Sequence, residues 1–312
     1  MRIDSFAMSV YWQWAHLRHD TFNRRVADIK PYALEPLIAR HRWCNVWRVL
    51  DRVSQRVVRI GLESDTPEDA AVRVFLLKIF NRTDVYDWLC STGGEPSTEH
   101  FPTDQYCMAV KSDPARPDRM WSGAYVMRVP DQQSCPPGMK AVRWLRLMGA
   151  LHARQWWVDV AQAPSLSAIV ETLSTIPGVG RWTAYQYATD FGYVGLHTWD
   201  EDSYVTHGPG SRRGVRRIFA PEHHSEMERC IEWTCANQDN LQLMHGFEPL
   251  RLKGRKLKLI DVQNVFCEFD KYARVAHPGL GGVGMKQIKR RYPMATAKPL
   301  PEPLLPAHWH AV

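Results

Sequence analysis

The run Leu173-Ser174-Thr175-Ile176-Pro177-Gly178-Val179-Gly180-Arg181-Trp182-Thr183-Ala184 decides how this chain is read. It predicts a helix, a tight glycine-rich hairpin and a second helix. Pro177 stops the first helix, because its ring cannot continue the backbone ladder. Gly178 and Gly180 are expected to supply backbone conformations closed to other residues and to leave no side chain between backbone and ligand. Amides at the start of the second helix would then point outward. Unsatisfied donors and the helix dipole together favour an anion there. Ile169, Val170, Leu173 and Ile176 recur at helical spacing and anchor the hairpin to a core. A lone G-x-G would indicate only an ordinary helix–helix turn. The full run I-P-G-V-G-R-x-T-A is more specific, and it makes Gly178, Gly180, Arg181 and Thr183 the candidate contacts to a DNA phosphate.

This run resembles the helix-hairpin-helix of the DNA glycosylase superfamily. The resemblance implies a mainly α, glycosylase-like helical fold with the hairpin at 173–190. In those enzymes a catalytic aspartate follows one helix and a short loop later, and Asp200 stands at that spacing, with Asp202 close behind. Trp182 occupies the position of the lysine nucleophile of the lyase-type members and cannot form a Schiff base. No cysteine cluster of the iron–sulfur kind follows.

Composition sets the bounds. The chain has 312 residues, enough for one large or two smaller domains with a core. Lysine and arginine number 40 against 33 acids, a surplus that suggests a polyanionic partner. The 13 tryptophans and 11 tyrosines can be core or base-stacking surfaces. No apolar run approaches membrane-spanning length, and Met1–Trp14 has no hydrophobic signal core, so an intracellular protein without a membrane partner is expected. The seven cysteines show no C-x-x-C pair, which predicts reduced thiols and no metal site.

Along the chain, residues 1–30 read as an N-terminal extension with a short helix, 31–290 as the main helical domain and 291–312 as a proline-rich, extended or disordered tail. A helix is expected from Pro36 to about Leu62. Thr66-Pro67-Glu68-Asp69 is a strong helix start, and Ala70–Phe80 reads as the central buried helix. Lys78 and Asn81 at its end could meet a ligand, or could equally cap the helix. Residues 91–120 read as a long loop with a short helix near 104–110, and 139–162 as a single helix. Three glycines and a proline argue against regular structure between Asp200 and Gly214. Arg212, Arg213, Arg216 and Arg217 then crowd one or two turns, and like charges this close point to an anion. A last amphipathic helix spans about Leu259–Val275. It carries Asp261, Asn264, Glu268 and Lys271 on one shared face, and Glu268–Lys271 or Asp270–Arg274 could be plain surface pairs.

Further stretches resemble the α-glutamyl/putrescinyl-thymine pyrophosphorylase family, also described as the helical domain beside 5-hydroxymethyl-dU DNA kinases. They are Phe75–Asn81, Gly123-Ala124-Tyr125, Gly208–Gly214 and Asp261–Asn264 with Cys267–Tyr272. The resemblance covers about residues 40–275. It implies a phage-associated transferase in the infected host's cytoplasm, acting on double-stranded DNA that carries a modified pyrimidine. An amino acid or amine would displace pyrophosphate from 5-(pyrophosphoryloxymethyl)uracil made by a separate kinase. The lack of a G-x-x-x-x-G-K-[ST] phosphate loop fits that division. On this reading Arg212, Arg213 and Arg216, with Lys271, would hold the leaving pyrophosphate. Asp200 or Asp202 would stabilise a cationic transition state, and Glu268 or Asp270 would deprotonate the amine. Lys78, Asn81, Tyr125 and Asn264 would line the substrate pocket. A divalent metal such as Mg2+ could help hold pyrophosphate, but the sequence requires none. Two other readings stand beside it: a monofunctional helix-hairpin-helix glycosylase using Asp200 and water, and a non-catalytic module that recognises modified DNA.

Overall fold

The computed structural model describes residues 1–123, 127–128, 139–281, 287–288 and 290–310. Tyr125, expected in the substrate pocket, lies outside the described residues. The described residues are mainly helical and form no named strand; their only bridges are isolated pairs such as Ile3 with Phe219. The helices are α1 (Ser5–Val26), α2 (Pro36–Arg40), α3 (Arg52–Glu63), α4 (Pro67–Phe80), α5 (Thr83–Gly93), α6 (Thr103–Ser112) and α7 (Lys140–His152). They continue as α8 (Trp156–Ala161), α9 (Leu166–Ser174), α10 (Arg181–Tyr193), α11 (Pro209–Ile218), α12 (Met227–Ala236), α13 (Gln238–Met244) and α14 (Leu259–Ala276). Among the described residues no helix is long and apolar enough to cross a membrane.

The chain forms two compact units. One comprises Met1–Asp51 and Tyr204–Pro303; the other comprises Arg52–Ser203 and the residues from Leu304 onward.

The second unit is built around α4, as its sequence demands. Thr66 caps it by accepting the Asp69 amide, Pro67 opens the first turn, and Glu68 and Asp69 favour the dipole. Every residue from Val74 to Phe80 is buried. Phe75 packs edge-on against Trp156 and Tyr187, and α3, α5, α7, α8 and α10 surround the helix. The helix expected over 139–162 is interrupted, because Gln155 takes a left-handed conformation at φ 52°. The new helix, α8, opens on Trp156 and Trp157, both buried. The hairpin forms as expected between α9, capped by Ser165, and α10. Gly178 has φ 87°, the left-handed conformation expected of it. Gly180 does not: at φ −86° and ψ 163° it is ordinary extended backbone. What glycine provides at 180 is open space, since an added Cβ would meet no atom of the described residues within 4 Å.

In the first unit α14 is the axis, with α1, α11 and α12 packed on it. Residues 1–30 contribute core to this unit, since Tyr11, Trp12 and Trp14 on α1 are fully buried. The helix expected over 36–62 is broken between α2 and α3. Carboxylates capture the amides of this segment: Asn45 N–H donates to Asp51 at 2.7 Å and Arg48 N–H to Asp261 at 2.7 Å. The proline-rich segment 291–303 is docked in this unit, with one short 3-10 turn at Met294–Thr296 and Leu300 N–H bonded to the Arg25 carbonyl at 3.0 Å.

The glycine-rich stretch after Asp200 also differs from expectation: Pro209–Ile218 is a helix. Pro209 suits a first helical position. Glycines cost a helix about 1 kcal/mol each, but here they let α11 approach α14. A Cβ on Gly210 would lie 2.1 Å from Cys267 Sγ, and one on Gly214 would lie 2.1 Å from the Phe266 carbonyl oxygen. Gly214→Ala, which in an exposed helix would stabilise, should here lower unfolding stability by about 2 kcal/mol or more because backbone cannot yield. Urea denaturation of the two proteins measures it, and an unchanged or higher midpoint would show that α11 is not held this close.

Candidate anion site on helix α11

With α11 seated on α14, its arginines divide into two sets. Arg213 and Arg217 face Asp270, each donating through Nε at 2.9 Å to one of its two carboxylate oxygens. Arg274, one turn along α14, adds a third bond at 2.8 Å, and Arg217 also bonds the Gly281 carbonyl. Asp270 is 1% exposed, and the side chains of Arg217 and Arg274 are 6% and 8% exposed. Three guanidinium charges therefore surround one buried carboxylate, leaving a net charge of +2. Arg213 is 36% exposed. It holds Asp270 through Nε alone, and its two terminal nitrogens have no partner among the described residues. Arg212 and Arg216 are exposed on the same helix and meet no acidic side chain among the described residues.

These three arginines share an open cavity of about 460 Å³ with His207, Gly208 and Pro209. The expected pyrophosphate-binding residues Arg212, Arg213 and Arg216 are thus brought together. The entry to α11 is fixed by Ser211, which accepts the Gly208 amide at 2.9 Å and the Gln263 side-chain amide at 2.9 Å. His207 Nδ1 lies 2.6 Å from Glu228, which also accepts the His207 backbone N–H at 3.2 Å. Burial pulls the Glu228 carboxyl upward, but these hydrogen bonds outweigh it and hold the group below the usual carboxylate range.

The shared face of α14 has a different task. Glu268 accepts the Cys44 amide at 3.2 Å and pairs with Lys271 at 2.6 Å. Lys271 donates to the Arg42 carbonyl at 3.0 Å, and Asn264 donates to the Asn45 carbonyl at 3.0 Å. Burial works against the Lys271 ammonium, yet Glu268 overrides it and raises its pKa above the usual lysine value. This face grips the backbone of residues 42–48, with Asp261 completing the row. Neither Glu268–Lys271 nor Asp270–Arg274 is the surface pair that spacing allows, because both acids are buried.

The other expected site residues lie in the second unit. Lys78 is buried in an ion pair with Asp190 at 3.0 Å. Asn81 ends α4 in a left-handed conformation at φ 50° and donates to the Ser122 hydroxyl at 3.3 Å. Asp200 is exposed and accepts the Asp202 amide at 3.1 Å; Asp202 is also exposed. Arg181 is exposed and Thr183 half-buried in the first turn of α10, where Gly180 offers no side-chain cap. Among the described residues no group of three His, Cys, Asp or Glu is placed to hold a metal ion.

A family described as "5-hmdU DNA kinase, helical domain" matches residues 5–282. The chain belongs to that family. A curated member-like protein, the 5-hmdU DNA kinase of Bacillus phage SP10, is 25% identical over 279 residues, which cover 82% of this chain. The matched region is 43% of that kinase, so the chain spans less than half of its relative's length. No solved structure matches.

The sequence pairs Asp270 with Arg274, as a surface pair, but gives no sign of Arg213 and Arg217 as further partners of Asp270, 57 and 53 residues away, or of the His207–Glu228 pair, 21 positions apart. Asp270→Asn keeps the shape but leaves Arg217 and Arg274 buried without a counter-ion. It should cost about 3–5 kcal/mol, read as a lower denaturation midpoint. A loss below about 1 kcal/mol, the worth of an exposed pair, would show that the cluster is solvated.

Proposed function

We propose that this chain acts in the hypermodification of thymine in DNA, as a transferase that joins an amine or amino acid to 5-(pyrophosphoryloxymethyl)uracil and releases pyrophosphate. The observation that carries this reading is the arginine cavity: terminal nitrogens of a braced Arg213 beside exposed Arg212 and Arg216, in a family defined by 5-hmdU DNA kinases. A departing pyrophosphate carries several negative charges. Preorganised guanidinium groups stabilise it best, because they need no rearrangement as the C–O bond breaks. On this reading the chain acts after phosphorylation, on an activated base made by a kinase activity. The hairpin at 173–190 would hold the DNA backbone while the base leaves the stack, an extrusion that costs a few kcal/mol.

Incubating the protein with DNA that carries the pyrophosphorylated base and candidate amines, then analysing nucleosides by mass, tests the reading. Native protein should release pyrophosphate and leave the sugar–base bond intact. Arg212→Ala combined with Arg213→Ala should slow release by about 10²-fold or more without loss of fold. Abasic sites and free base would instead identify a glycosylase, and DNA binding without turnover would identify a recognition module.

The hairpin has a separate test. Gly180→Val adds a side chain where no atom of the described residues lies within 4 Å, on backbone that valine readily adopts, so the fold should persist. DNA affinity should fall at every salt concentration, with a shallower salt dependence, because a phosphate contact is blocked. Unchanged affinity would exclude the hairpin from DNA contact.

A further inference from the structure

We infer that His207 is the general base of the arginine cavity, oriented by Glu228 so that its Nε2 takes the proton of the incoming amine. The inference rests on the proposed transfer and deepens it. An amine arriving as ammonium has no lone pair, so something at the site must accept a proton. Glu268 and Asp270 are poorly suited, since one is closed by Lys271 and the Cys44 amide and the other by three guanidinium groups.

His207 is differently placed. It lines the cavity with Arg212, Arg213 and Arg216, and its side chain is 31% exposed. One oxygen of Glu228 lies 2.6 Å from its Nδ1 and 3.2 Å from its backbone nitrogen, so the ring and the chain beneath it are held by the same atom. The Thr206 hydroxyl is 3.5 Å from that oxygen. A carboxylate at Nδ1 selects the tautomer with the proton on that nitrogen. Nε2 is then the acceptor, and it has no partner among the described residues. The charged groups that bear on the ring are Glu228 and the three cavity arginines. Glu228 balances the imidazolium that forms, as the acid of a hydrolase triad does.

The ammonium gives one proton to Nε2, and the freed nitrogen lone pair forms the C–N bond to the methylene carbon. The C–O bond breaks with its electron pair on the pyrophosphate oxygen, which the arginines receive. The product leaves as a secondary ammonium, and His207 returns its proton to water.

The test uses the full chain, DNA bearing the pyrophosphorylated base, and glycine, glutamate and putrescine as nucleophiles in single-turnover assays. His207→Ala should slow transfer by about 10²–10⁴-fold, with unchanged affinity for DNA and inorganic pyrophosphate, and added imidazole should restore part of the rate. Glu228→Gln should slow it as well, because an amide cannot balance the imidazolium. Transfer by His207→Ala at the native rate overturns the inference and leaves the proposed function standing. A slow variant that imidazole does not restore, and that has lost pyrophosphate affinity in parallel, also overturns it, since the residue would then only shape the cavity. No transfer by native protein overturns both. If the variants fail to fold, the native protein suffices: inorganic pyrophosphate should shift the His207 ring nitrogen resonances, and a titration that leaves them unmoved ends the proposal.

Discussion

The carboxylate of Asp270 has two oxygens and receives three guanidinium groups, all within a helix pair that excludes water from it. Such an arrangement is costly to dehydrate and worthwhile only if its geometry is enforced. Enforcement comes from Gly210 and Gly214. Any larger residue at either position would run into Cys267 or the Phe266 backbone and push α11 away. At that greater distance Arg213 and Arg217 would lose Asp270, and the buried charges would lack a counter-ion. The close approach therefore determines the ion cluster, and the cluster fixes which nitrogens of Arg213 remain for the cavity.

The same helix explains the loop that precedes α3. On α14 one row of side chains faces α11, and another row faces residues 42–48, where several amides and carbonyls bond α14 side chains. Asp261, Asn264, Glu268 and Lys271 supply those partners. Burial pushes Asp261 up to about 6, while the Lys258 and Arg48 amides pull against it. These residues carry the polarity of a catalytic face but perform the service that water performs on a surface loop. Charge and spacing on a helix therefore do not distinguish a site from a brace. The identity of the bonding partner does, and here the partners are main-chain atoms.

What the sequence disclosed and what it concealed follow from the range of each interaction. Helix α4 was legible because its cap, its first-turn acids and its apolar run are contiguous, and the hairpin was legible because proline and glycine act on their own backbone. Helix α14 was legible from its period. The break at 41–51 was not, because its amides are satisfied in part from residues more than 200 positions away. Helix α11 was concealed for the opposite reason: glycine signals a break unless a close neighbour rewards its lack of a side chain, and that neighbour is α14. Within the site, the crowding of Arg212, Arg213 and Arg216 indicated an anion, and the structure gathers all three. Which carboxylate braces Arg213, and which histidine stands beside the three, depends on packing that no local pattern encodes.

The two candidate anion sites belong to different units of the chain, the hairpin to one and the arginine cavity to the other. They also differ in kind. The hairpin offers an open glycine at the start of α10 beside the exposed Arg181, and suits a polymer backbone that must slide and release. The cavity offers a surplus of fixed positive charge with one arginine locked in place. That suits a small, highly charged group held while a bond breaks, since a rigid guanidinium pays its ordering entropy on folding rather than at the moment of reaction. A protein that only recognised DNA would have little need of the second feature, because exposed, mobile arginines bind a phosphate backbone well enough. The bracing of Arg213 by a buried acid is therefore the property that favours chemistry over recognition.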